Sequence, residues 1–286
     1  MKIIGAPFFL PCLWLCVLHQ LCIAQTPGAH LGELTWPEAE IRIQQAPLVI
    51  LPFGAGAKEH GPHLPMNADA KVMEYLCRRA VESLPVIVAP PILHGWFPAF
   101  REFPGTEVAD GEVFRRYVFE VAMSLVKHGA QRIVFLNTGV SKATGLPLSM
   151  VAREIRVQTG TPALVISWDD LETSEIDSLQ EQEMGGHADE IETSINLYLQ
   201  PELVHMERAV ADYGNTGRKN YPGYEPGLFS RNPNDPEFSK TGVFGDPTKA
   251  TVEKGRKALA ILTTQWLRAL RGFSLSPVRA KETHER

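Results

Sequence analysis

Cysteine is scarce in this chain and unevenly placed. Of the four present, Cys12, Cys16 and Cys22 fall within the first 24 residues, which leaves Cys77 for the remainder. One thiol closes no internal disulfide, so a packed core must hold the fold. A G-x-S-x-G turn is lacking, and Cys77 lies in an amphipathic stretch; both argue against serine or cysteine nucleophiles. Basic excess is lacking too. The balance of 28 Lys and Arg against 33 Asp and Glu, net −5, argues against nucleic acid as a partner. No His-rich tract and no internal repeat is present. After residue 24 no run is long and apolar enough to span a bilayer.

What is present begins with a leader. Met1-Lys2 gives a positive start, residues 3–24 are largely apolar without Asp or Glu, and Cys22-Ile23-Ala24 ends small. This reads as a secretory signal peptide over 1–24 with Gln25 as first mature residue. The rival reading is an uncleaved anchor, but Pro11 and His19 interrupt the run. The expected location is secreted or periplasmic, with no stable membrane anchor after cleavage. Removing one Lys and no acid makes the mature charge −6. Residues 25–275 are long enough for a single domain with a large core, and 276–286 read as a mobile charged tail.

Apolar runs at 48–51, 86–90, 133–136 and 164–168 read as strands. Helical spacing appears at 34–41, 70–83, 111–128, 148–159 and 190–199, and from Asp246-Pro247 to about 270. Strands alternating with helices specify an α/β fold with a mainly parallel sheet covered on both faces. Loops at the carboxyl ends of the strands, beginning near Gly54, Pro90, Asn137 and Asp169, should converge on one crevice. The stretch 213–241, rich in Gly, Pro, Asn and Tyr, reads as an ordered excursion or a subunit contact.

Two dense clusters carry the chemistry. Lys58-Glu59-His60-Gly61-Pro62-His63, followed by Asp69, follows the 48–51 strand and packs imidazoles and carboxylates as a divalent metal site requires. Gly185-Gly186-His187-Ala188-Asp189-Glu190-Ile191-Glu192 enters a helix. On helical spacing, His187 and Glu190 share a side while Glu192 points elsewhere. The alternative for Asp189, Glu190 and Glu192 is an acidic first turn balancing the helix dipole. His63 reads as structural and Cys77 as core.

These clusters join further motifs in one order: His60-Gly-Pro-His-Leu-Pro with Asp69, Phe103-Pro-Gly-Thr106, Gly186-His-Ala-Asp-Glu-Ile-Glu-Thr-Ser194, and Gly242-Val-Phe-Gly-Asp-Pro247 leading to Glu253-Lys-Gly255. Together they resemble the creatininase (creatinine amidohydrolase) family over residues 48–255. The resemblance implies a three-layer α/β/α sandwich and a metal-dependent, often oligomeric hydrolase of cyclic or linear amides. It implies zinc or manganese, or iron, held by His60, Asp69 and Glu190, with His187 as the catalytic imidazole. One ion is expected; a second is doubtful. Many members place Glu two residues before that first His, where this chain has Lys58, and a bulge would bring Glu59 into the ligand position. Many also carry Asn-Gly-His after the third strand. Here the run is Asn137-Thr-Gly-Val-Ser-Lys142, without imidazole. Lys58 or Lys142 can supply charge where a second cation would sit.

Two functions follow from this reading. One is a secreted amidohydrolase acting through metal-activated water, with His187 and Glu192 catalytic and Glu59, His60, Asp69 and Glu190 as metal ligands. Its substrate is a small amide, contacted by Trp96, Trp168 and Asp169, and a homo-oligomer is expected. The other is an inactive or repurposed small-molecule-binding protein on the same fold, motivated by Lys58 and the missing imidazole.

Overall fold

The computed structural model describes residues 27–139, 141–214, 230–234 and 238–276. The leader expected over 1–24, most of the expected tail, and much of the stretch 213–241 lie outside the described residues.

The chain runs β1 (Ala29–His30), α1 (Trp36–Gln45), β2 (Val49–Phe53), α2 (Ala68–Ser83), β3 (Ile87–Val88), α3 (Gly111–Lys127), β4 (Ile133–Asn137), α4 (Ser141–Thr159), β5 (Ala163–Ser167), α5 (Ser174–Asp177), α6 (Glu190–Leu199) and α7 (Val252–Ser274). Local chemistry sets the entries. Thr35 and Glu38 form a capping box at α1, with Pro37 in its first turn. Asp110 accepts from the amides of Glu112 and Val113 at α3.

The five strands are all parallel, in the order β1-β3-β2-β4-β5. Their near-continuous apolar sequence follows from burial on both faces. Leu48, Ile50, Val134 and Leu136 face one layer with Leu76, Ile195, Leu262 and Trp266 of α2, α6 and α7. Val49, Leu51, Ile133 and Phe135 face the other, with Ile43, Val118 and Ile155 of α1, α3 and α4. The result is a three-layer α/β/α sandwich. The chain turns from β2 to β3 on one side and then returns to β4 on the other. The successive helices α2 and α3 therefore cover opposite faces, and the strand order reverses between β2 and β4, whose carboxyl ends are where such folds form a crevice.

Two boundaries differ from the sequence reading. Helix α4 begins at Ser141 rather than near 148, carrying Pro147 within it. Asp246-Pro247 opens only a short 3-10 turn, Pro247–Lys249; extended backbone at Ala250 and Thr251 breaks the path, and Thr251 caps α7. Asp246 is a helix cap, but of this single turn. Close by, a Cβ on Gly255 would lie 1.9 Å from the Ser194 carbonyl oxygen, so only glycine lets α7 lie this close to α6.

Candidate active site

The crevice is built from the loop after β2, the start of α2, the end of β4 and the entry to α6. Beyond β2, Gly54 permits contact with the β4 end: a Cβ there would stand 3.0 Å from Thr138 Oγ1. The Thr138 hydroxyl lies 3.0 Å from the Asp69 carbonyl oxygen and 3.2 Å from that of Phe53, tying the two strand ends to α2. The distant motifs meet around Glu59. Its amide donates to Thr106 Oγ1 at 3.0 Å. Gly242, at φ +79°, leaves the space its carboxylate fills, since a Cβ there would stand 2.0 Å from Glu59 Oε1. His187 and Phe244 exchange backbone hydrogen bonds of 3.3 and 2.8 Å, so the 242–247 segment latches His187 in place.

Two charged groups result. In the first, Lys58 Nζ is 2.8 Å from Asp69 Oδ2 and His60 Nε2 is 3.0 Å from Asp69 Oδ1. His60 Nδ1 donates to the Lys58 carbonyl oxygen at 2.9 Å, which fixes the ring. In the second, His187 Nε2 is 2.9 Å from Glu59 Oε2, and its Nδ1 is 3.9 Å from Glu192 Oε2. The imidazoles of His60 and His187 lie 5.2 Å apart between centroids. Phe100 stacks on His187 at 4.4 Å and lies 5.0 Å from the Lys58 ammonium, a cation–π distance. Glu192 is the most accessible of the three carboxylates: its side chain is 24% exposed against 6% for Asp69 and 8% for Glu59.

Burial opposes ionisation of all three, and their partners decide the outcome. For Asp69 burial is overcome by Lys58 and His60, so its carboxyl stays well below the usual range. For Glu59 burial is again outweighed, here by His187 and the Gly61 amide, and the net direction is down. For Glu192 burial wins over the attraction of His187 and Lys58, and its carboxyl is pushed up to about 7. Burial and the neighbouring His60 lower His63 to about 4, leaving it neutral; its Nε2 meets Thr193 Oγ1 at 2.8 Å.

The expected metal ligands do not assemble as the sequence suggested. Glu190 is held elsewhere: Oε2 accepts from the amides of Glu181 and Gln182 at 2.7 and 2.8 Å, and Oε1 pairs with Lys254. His187 precedes the helix, and Ala188, at φ +49°, turns the chain sharply, so helical spacing does not apply between 187 and 190. Positions 190 and 192 are about 200° apart on the helix, and it is Glu192 that faces His187. The Ala188 amide donates to Glu192 Oε2 at 2.6 Å. Glu59 turns to His187 rather than to Asp69, in a loop rather than a bulged strand, and Lys58 takes the place beside Asp69. The Lys142 side chain lies outside the described residues.

The expected substrate contacts also have packing roles. Trp96 packs on the core beneath α3, against Gly111. Trp168 packs on the opposite core, its indole donating to Glu172 Oε1 at 2.6 Å, and Asp169 is exposed beside it. Sequence reasoning gave no role to Thr138 and none to the Lys254–Glu190 pair. The Glu253-Lys-Gly255 motif was the signal for the latter: Lys254 neutralises Glu190 and Gly255 admits the helix contact.

A parallel three-layer sandwich with a carboxylate–imidazole cluster at its switch point is the α/β class to which the sequence motifs pointed. The family model for creatinine amidohydrolase matches residues 32–270, and the chain belongs to the creatininase family. It is 29% identical to creatinine amidohydrolase of Pseudomonas putida over 251 residues, 82% of this chain and 93% of that protein. It is 28% identical over 222 residues to the mycofactocin precursor peptide peptidase of Mycolicibacterium smegmatis, covering 75% and 80%. A manganese creatininase superposes with a TM-score of 0.73 at 28% identity, over 87% of this chain and all of that one. A Zn-Zn-type mutant creatininase does so at 0.73 and 27%, over 88% and 100%.

Solved relatives thus include manganese and zinc forms, but the donors present here do not fit such an ion. Among the described residues no three His, Cys, Asp or Glu side chains are grouped to hold a metal. His60 and Asp69 are spent on one another, and an ammonium already lies against Asp69.

Proposed function

We propose that this chain hydrolyses a C–N bond of a small cyclic or linear amide in the crevice between β2 and β4. The observation that carries the reading is His187 held between two carboxylates, Glu59 fixing Nε2 and Glu192 lying beyond Nδ1. Glu192, with its carboxyl raised to about 7, is suited to accept a proton from water at neutral pH. The water oxygen adds to the carbonyl carbon, and the oxyanion that forms is stabilised by the Lys58 ammonium. His187 delivers a proton from Nδ1 to the leaving nitrogen, the C–N bond breaks, and the proton on Glu192 restores His187. Acid and amine leave, with one water consumed. The protein is exported by its leader and works as a homo-oligomer.

The relatives' names set the first panel: creatinine, short peptides and small cyclic amides. Turnover of at least one is expected, with His187→Asn lowering kcat/KM by about 10²–10⁴-fold. A second reading, a repurposed binding protein, is favoured by one observation: Lys58, Asp69 and His60 satisfy one another beneath Phe100. No turnover across the panel, together with ligand-induced thermal stabilisation, would select it.

A further inference from the structure

We propose that the Lys58 ammonium, rather than a divalent ion, is the resident cation of this crevice, so that the site is metal-free. The inference concerns the crevice of the hydrolytic reading, but it is read by metal content and does not depend on turnover.

Three observations carry it. First, Lys58 Nζ lies 2.8 Å from Asp69 Oδ2, and both side chains are buried, so the ammonium already supplies the positive charge this carboxylate needs. A divalent ion at Asp69 would be driven against that ammonium. Second, Gly139 offers no donor at the one place where it would matter. A Cβ on Gly139 would point into the crevice, 3.6 Å from Asp69 Oδ2 and 3.4 Å from the Phe97 ring. Its backbone lies outside the left-handed region, so glycine is not demanded there by conformation. Third, the remaining acids are committed elsewhere: Glu59 to His187, Glu190 to Lys254, and Glu192 to the Ala188 amide on the far side of His187. What is left is one imidazole and one carboxylate, already paired, against the three or four protein donors that hold zinc.

The test counts metal. Tag-free protein is incubated with excess zinc or manganese, desalted, and analysed by plasma mass spectrometry. Wild type is expected to retain less than about 0.1 equivalent, whereas Lys58→Glu with Gly139→His, which removes the ammonium and adds two donors beside Asp69, should raise this about tenfold. Asp69→Asn in that background should abolish the gain. A wild-type chain that keeps about one equivalent, lost in Asp69→Asn, overturns the proposal. Metal that survives Asp69→Asn sits elsewhere and leaves the proposal supported. A folded double variant that gains nothing counts against Lys58 as the excluding group. Should the double variant not fold, the wild-type count decides alone. Absence of amide turnover by metal-free wild type touches only the hydrolytic reading.

Discussion

Glu192 is the residue whose ionisation links folding to pH near neutrality. Its carboxyl rises from 4.5 to about 7 because burial outweighs the attraction of His187 and Lys58. The folded chain therefore keeps a proton that the unfolded chain has released. The stabilisation is full below about pH 4.5 and is lost as pH rises through about 7, amounting to about 3 kcal/mol. Urea unfolding of wild type and Glu192→Gln between pH 5 and 8 checks this: wild type should lose stability across the window relative to the variant, and parallel curves would refute it. Asp69 behaves oppositely in kind, since its lowered carboxyl depends on Lys58. Lys58→Met should leave a buried carboxylate short of its cation and cost about 3–5 kcal/mol in the same assay. Adding Asp69→Asn should recover at least half. His60, Asp69 and His187 were legible as a cluster because imidazoles and acids are dense there. Glu192 was expected along with His187 as a catalytic group, but that it and not Glu190 faces the imidazole was not legible, because this depends on the sharp turn at Ala188, an alanine in a conformation that sequence does not announce.

Elements were legible where their periodicity was strong and bounded. Strands β2, β4 and β5 stood out as apolar runs, and α6 was read with its boundaries, Glu190–Leu199. The two-residue β1 offered no pattern to read, and Pro147 masked the first turns of α4. The contact between α6 and α7 was legible only as a motif, yet it sets the entry of α6 and with it His187 and Glu192. Gly255→Ala would drive a methyl into the Ser194 carbonyl, and the helices must part. We expect a loss of about 3 kcal/mol, read as a fall of about 6–12 °C in Tm. Under the proposed hydrolysis, steady-state kinetics on the same variant should show kcat falling more than KM rises, because α6 carries Glu192 and its entry carries His187. An unchanged Tm would mean that the helix contact is not as tight as described.

At the scale of the whole molecule, the outer faces of α3 and α4 are among the places where large apolar side chains stay exposed. Val113 and Tyr117 stand one turn apart on α3 with their side chains in solvent, as do Leu146 and Met150 on α4. Arg115 and Glu154 join the two helices at 2.9 Å, so the two apolar pairs belong to one layer of the sandwich. Single exposed apolar residues need no explanation, but paired ones on adjacent helices are the surface to which we assign the proposed homo-oligomer contact. A two-fold contact would bury the same residues on both copies, so each substitution acts twice. Tyr117→Glu with Met150→Glu should therefore weaken assembly by about 100-fold or more in dissociation constant, moving the mass seen by light scattering to that of one chain. Both substituted side chains are exposed on the outer faces of their helices, so thermal unfolding of the variant at high dilution should match that of wild type at equal dilution. Wild type that already scatters as a single chain at micromolar concentration would rule this surface out as the means of assembly.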